Sequence, residues 1–353
     1  MKATCAVALA ALALAACDNR DLQSRTELLE YRVLAVRADI PQPSPDETVT
    51  LTVIEHDPAD VDPMAETGSP FYVWEICPFS LGSLAQYDCL DPVQASGAGA
   101  PGDAPPTAEQ QQAAARVIAT LAELGVSPQE AADLFAPDIR QTAEPSLTLD
   151  MTTIGGVGIR GLFALCQALN SDGVCRSFEG SVVLLEEGWS LYVKLYSGRE
   201  GVVRNDTVKV LKVRDFDGRN TANPAFATLE ARDRDDQLVT AGKPEQKLTL
   251  SLTMVGGSAD TYPAIVYDDD GQAVRDADGA LQTKEKTEEL LYSWFATGGD
   301  IDRSRTVTDT LFDQRENELT LPKEPGPVRV YVVARDGRGG FAVRDLDLTV
   351  TED

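Results

Sequence analysis

A single histidine, His56, is all the imidazole in a chain of 353 residues. Nucleophilic sites of the Ser-His-Asp or Cys-His kind need a base beside the nucleophile, so such chemistry would have to be built on His56. His56 stands between Glu55 and Asp57 at the end of a strand pattern, where it reads as a surface residue with its hydrogen bonds satisfied. The chain also lacks a Gly-x-Ser-x-Gly elbow and a His-Glu-x-x-His pair. Positive charge is scarce: 31 Lys and Arg stand against 57 Asp and Glu, a formal charge of -26. A surface of that sign repels phosphate backbones and excludes nucleic acid as a partner. No Cys-x-x-Cys pair exists, and with one histidine a zinc-thiolate site lacks its ligands. Long apolar runs are missing too. The one that exists, Ala6 to Ala16, is too short to span a bilayer.

What is present begins with that run. Lys2 followed by Ala and Leu has the pattern of a secretory signal over residues 1–16. Leu14-Ala15-Ala16-Cys17, which closes it, resembles the lipobox of bacterial lipoproteins. The resemblance implies cleavage before Cys17 and lipidation of its thiol, so that the chain is held to a membrane by acyl chains. Losing Lys2 with the signal takes the formal charge to -27. Cys77, Cys89, Cys166 and Cys175 are then an even set in an oxidising compartment. Three pairings are open, and the short separations favour Cys77 with Cys89 and Cys166 with Cys175.

Residues 17–30 are polar and read as a lipidated tether reaching roughly 20 Å. A first domain is expected over 31–214. Val49, Leu51 and Val53 alternate with Thr50 and Thr52, the period of a strand with one buried face. Phe71 to Ile76 is a second strand, with Trp74 just ahead of Cys77. Asp91 to Thr107 is rich in Gly, Ala and Pro. A capping box at Thr107 and Gln110 then opens a helix over Ala108–Leu124, and Ser127-Pro128 opens another. This helical hairpin, Thr107 to Pro137, falls in an insertion at about 91–145 of an otherwise β domain. Strand patterns resume at Leu147–Leu149, Gly161–Ala168, Val182–Leu185 and Leu191–Leu195. Asp215 to Pro224 is a turn-rich linker, and a second domain over 225–353 contains the alternation Leu248, Leu250, Leu252, Met254.

An internal repeat links the two domains. Placing Tyr192 on Tyr331 aligns YVKLYSGREGVV with YVVARDGRGGFA at an offset of 139. Each copy reads as a strand, a Gly-Arg-x-Gly turn and a return strand. With Trp74 matched to Trp294, the Trp-to-Tyr spacing is 118 in the first copy and 37 in the second. The first copy therefore carries an insertion of 81 residues. YSWFATGGDI and VRVYVVARDGRGG resemble the Trp strand and closing hairpin of PKD-like and other immunoglobulin-like domains of bacterial surface proteins. YRVLAVRADIPQPSPDETVTLTV is similar to the opening of envelope lipoproteins of myxobacterial type. These resemblances imply a mainly β chain of two immunoglobulin-like β-sandwiches, the first with the helical insertion, in the cell envelope on the inner or outer membrane.

No cofactor is expected unless it is calcium. Asp215 and Asp217, Asp268 and Asp270, and Asp276 and Asp278 each stand ahead of a glycine turn and offer clustered oxygen ligands. Tight turns favour the same residues for their own reasons. The expected role is non-enzymatic: a structural or partner-binding module anchored through Cys17, with an envelope protein or glycan as its partner. A calcium-stabilised adhesin or matrix protein is one alternative. A carbohydrate-active enzyme using paired carboxylates is the other.

Overall fold

The computed structural model describes residues 26–61, 68–80, 136–169, 188–258, 261–269 and 273–352, with isolated positions at 87, 89, 119, 122 and 127. The first module contains β1 (Arg32–Ala38), β2 (Thr48–His56), β3 (Pro70–Cys77), β4 (Asp138–Thr142), β5 (Ser146–Asp150), helix α1 (Gly158–Leu169), β6 (Trp189–Arg199) and β7 (Val202–Val213). The second contains β8 (Phe226–Arg232), β9 (Ala241–Gly242), β10 (Lys247–Met254), β11 (Thr261–Ile265), β12 (Thr283–Thr287), β13 (Leu290–Ala296), β14 (Asp300–Ile301), β15 (Arg305–Thr308), β16 (Glu316–Thr320), β17 (Gly326–Arg335) and β18 (Phe341–Val350).

Both modules are immunoglobulin-like sandwiches of two sheets. In the first, β1-β2-β5 faces β4-β3-β6-β7. In the second, β8-β10-β16-β14 faces β15-β13-β17-β18-β9. The strand order is the same once β1, β2, β3, β4, β5, β6 and β7 are laid on β8, β10, β13, β15, β16, β17 and β18. Period-two patterning explains the shared core, since alternate side chains leave opposite faces of a strand. Val49, Leu51 and Val53 point inward with Trp74, Leu149, Val193 and Leu211 from both sheets. Leu248, Leu250 and Leu252 do the same against Trp294, Val330 and Val332.

The tryptophans match in detail. Tyr72-Val73-Trp74 and Tyr292-Ser293-Trp294 occupy the same strand, and the Trp74 and Trp294 side chains are completely buried. Trp74 Nε1 donates to Thr142 Oγ1 at 3.1 Å, and Trp294 Nε1 donates to Thr306 Oγ1 at 2.9 Å. Each threonine lies on the edge strand directly opposite the tyrosine of the motif, Thr142 opposite Tyr72 and Thr306 opposite Tyr292. Trp74 stands opposite Leu195, whereas Trp294 stands opposite Val332. Aligning Tyr192 with Tyr331 therefore places the tryptophans two residues out of step, a slide that leaves every side chain on its own face.

Several expectations are corrected. Gly161–Ala168 lies in a helix, α1, rather than a strand. Ile159, Leu162 and Phe163 recur at helical spacing and meet the core together, and a short apolar run does not distinguish the two periods. Gly158 opens the helix at φ +70°, where a Cβ would lie 2.4 Å from the Thr152 carbonyl oxygen. The extra length of the first module is not one insertion ending near 145. β4 pairs with β3, so the additional residues fall into two connections, 78–137 and 151–188. The predicted helices of Thr107–Pro137, apart from isolated positions, and the predicted strand Val182–Leu185 lie outside the described residues.

The Gly-Arg-x-Gly turns also differ. Glu200 and Gly201, both at positive φ, close the first hairpin in two residues. The second uses a loop over 336–340, in which Asp336 Oδ1 accepts from the Arg338 and Gly340 amides. The tether expectation fails at its end. Leu28 is buried, its amide donates to Ala296 O at 2.8 Å, and the Ala296 amide donates to Thr26 O at 2.8 Å. Local composition hid this because the apolar surface that receives Leu28 belongs to the other module.

Candidate functional site: the joint between the modules

The outer face of β1 and β2 packs on the outer face of β13, β17 and β18. A bulge in β1 between Val33 and Ala35 turns both Leu34 and Ala35 outward. With Leu28 and Ile54 they meet Tyr331, Val333, Phe295, Phe341 and Val343. β17 is consequently buried on both faces from Val330 to Ala334. Its unbroken apolar run is a sequence signal of this contact, since a strand buried on both sides does not alternate.

His56 lies in this joint. It is 1% exposed, which corrects its reading as a surface residue. β2 alternation places Val49, Leu51 and Val53 in the core and therefore Ile54 and His56 on the outer face. His56 Nδ1 stands 3.2 Å from the Tyr331 hydroxyl, and the two rings meet edge-on. Burial pushes the imidazole below its ordinary pKa, outweighing the attraction of Asp60 and Asp57, and Arg329 acts in the same direction as burial.

The linker is clasped rather than loose. The Gln42 amide donates to Asn220 O, and the Asn220 amide donates to Gln42 Oε1, both at 2.9 Å. Asn220 Nδ2 donates to Asp336 Oδ2 at 2.7 Å. Asn223 Nδ2 donates to Ala38 O at 2.8 Å, while its own Oδ1 accepts from the Phe341 amide at 2.8 Å. Arg219 grips Glu47 at 2.6 Å. Lys209, buried on β7, donates to Gly339 O at 2.9 Å and lies 4.2 Å from the Phe341 ring centroid. Burial pulls its pKa down to about 8, against the attraction of Asp336. Buried polar groups must be paired to be tolerated, and this joint pairs them across the modules.

A second polar cluster closes one end of the first sandwich. Arg199 Nη2 reaches Asp57 at 2.7 Å and Glu55 at 3.3 Å, and its guanidinium carbon lies 3.8 Å from the centroid of the Tyr31 ring. Glu55 accepts from the Tyr31 hydroxyl at 2.7 Å and the Tyr72 hydroxyl at 2.8 Å. Burial pushes the Tyr31 hydroxyl up to about 12. The Glu55 and Asp57 carboxylates are thus engaged by Arg199 and two hydroxyls. That is the geometry of a structural ion cluster, not of an acid and base poised about a scissile bond.

The candidate calcium residues are used elsewhere or point outward. Asp215 accepts from Arg160 at 2.9 Å. Asp276 Oδ1 accepts from the amides of Asp278 and Ala280, closing its own turn. Asp217, Asp268 and Asp278 are exposed, and Asp270 lies outside the described residues. Among the described residues, one group of three metal-capable side chains has its ligand atoms within 4.8 Å of one another: Glu75, Cys77 and Cys89. Its two sulfurs form the expected disulfide, with Cα atoms 5.0 Å apart. The Cys166 side chain and Cys175 lie outside the described residues. Among the described residues no helix is long and apolar enough to cross a membrane.

No protein-family model matches the chain, and no curated protein matches it. Among solved structures, it is similar to the FN1-FN3 domains of chicken CNTN1, with 7% identity over 94% of this chain and 71% of that one and a TM-score of 0.21. It is similar to the D00-D0 domain of intimin, with 12% identity over 92% of this chain and 100% of that one and a TM-score of 0.22. It is also similar to the native conformation of E. coli alpha-2-macroglobulin, with 10% identity over 93% of this chain and 17% of that one and a TM-score of 0.24. Likeness at this level assigns no activity or partner. The sandwich description rests on the strand order and the two cores.

Proposed function

We propose that this chain is a lipid-anchored envelope module without enzymatic activity, a rigid two-sandwich body that holds a binding or structural surface near a membrane. The observation that supports this most is the joint, where Leu28, Leu34, Ala35, Tyr331 and Val333 pack together and Asn220 and Asn223 clasp both modules. Such a body presents its loops in a fixed relation, as display and spacing require. Attachment follows from Cys17.

Two measurements test the proposal. A bacterium making the full chain and fed an alkyne palmitate analogue should label the protein, and Cys17→Ala should abolish the label. An unlabelled wild-type protein contradicts anchoring. Cross-linked capture from envelope extract should retain a partner with the intact chain and lose it when Thr107–Pro137 is replaced by a short Gly/Ser linker. Cleavage of envelope glycan by the purified chain would contradict the non-enzymatic role.

A further inference from the structure

The joint contains the chain's one imidazole at a point where three segments meet. His56 comes from β2 and Tyr331 from β17, and the carbonyl of Leu28 belongs to the segment ahead of β1. Nδ1 faces the Tyr331 hydroxyl, and the backbone of Leu28 is a further hydrogen-bonding neighbour of the ring. This pairing satisfies a neutral imidazole with its proton on Nε2, because Nδ1 then accepts from Tyr331.

The charges around it come from every packed element. From its own side, the negative charges of Asp60 and Asp57 act on the ring without touching it, and Arg32 on β1 is its cross-strand neighbour. Arg32 extends over the Phe295 ring of the second module, 5.4 Å from its centroid. From the second module come Tyr331 and Arg329, with Arg329 held by Asp347 at 2.6 Å and by Asp345 at 3.9 Å. The Arg329 charge also acts on the Tyr331 hydroxyl oxygen. An imidazolium would need that same oxygen as an acceptor, and Tyr331 would have to turn its own proton elsewhere. The added charge would also lie beside Arg329 in a region closed to water, where a buried charge is tolerated only with a partner.

We propose that His56 makes the joint acid-sensitive: protonation of its ring breaks the Leu28–His56–Tyr331 relay and loosens the second module from the first while each sandwich stays folded. The sign follows from linkage. An imidazole that protonates less readily when docked stabilises docking fully above the undocked pKa of about 6.5, and this contribution is lost as pH falls below it. The docking constant then falls by up to about tenfold per pH unit until the docked form protonates as well. The inference stands whether or not Cys17 is lipidated.

Two readings on the full chain test it. With one histidine, the ring gives a single C2-proton resonance, and its titration should lie below about 6.5. A midpoint at or above that value overturns the proposal. Amide exchange, corrected for intrinsic rate, should show protection at Leu28 and Ala296 falling up to about fivefold between pH 6.5 and pH 5.5, with Leu250 in the second core unchanged. In His56→Gln the protection at Leu28 and Ala296 should lose this pH dependence, whatever its absolute level. Equal pH dependence in wild type and His56→Gln, or loss of protection at Leu250 together with Leu28, would overturn it.

Discussion

The two sandwiches share seven strands in the same order, yet the first spends 60 residues between β3 and β4 where the second spends eight between β13 and β15. What is retained is the pairing of Tyr-x-Trp with an edge-strand threonine, and what varies is the loops. The comparison teaches that the buried strands set the fold while the connections are free to carry whatever distinguishes one module from the other. The joint adds a second lesson. The faces that meet, β1 with β2 on one side and β17 with β18 on the other, come from different sheets of the two modules, so equivalent scaffolds are used in inequivalent ways.

That equivalence can be broken most forcefully at the tryptophans. Trp74→Ala and Trp294→Ala should each destabilise the host module by about 3 to 5 kcal/mol, measured by urea unfolding with probes in both modules. A large difference between them would show that the two positions are not equivalent. The next effect separates the modules: Cys77→Ser with Cys89→Ser should cost the first sandwich about 2 to 3 kcal/mol and leave the second unchanged. Thr142→Val and Thr306→Val leave each indole N–H without its acceptor, and a loss of about 1 to 2 kcal/mol is expected in each by the same unfolding assay. The loss should be larger at Thr306, which is buried while Thr142 is half-buried. The smallest effect concerns the acidic turns. Because Asp215 and Asp276 already serve Arg160 and a turn, replacing calcium with chelator should move the thermal midpoint by no more than about 2 °C, by scanning calorimetry.

Much of this architecture was legible. Strict alternation at Val49–Val53 and Leu248–Leu252 placed strands with the correct face inward, and the Tyr192/Tyr331 alignment identified the repeat, two residues out of register at the matched Trp74 and Trp294. The Cys77–Cys89 disulfide followed from separation and compartment. The helix α1 was missed because Gly161–Ala168 is a short apolar run without a helix-start signal. The joint was missed for a different reason. Its contacts, such as Asn220 with Asp336 and Lys209 with Gly339, join residues 116 and 130 positions apart, and no local period records them. His56 was misplaced on the same account. Glu55 and Asp57 beside it suggest solvent, but those carboxylates are turned to Arg199 while the imidazole is covered by the other module.

The central claim is that two equivalent sandwiches are clamped into one body. Spin labels on the exposed positions Thr148 of the first module and Thr253 of the second, read by pulsed dipolar spectroscopy at pH 7.5, test it most directly. A single narrow distance distribution is the expected result. A broad distribution, with the sandwiches separately folded but freely oriented, would contradict the account.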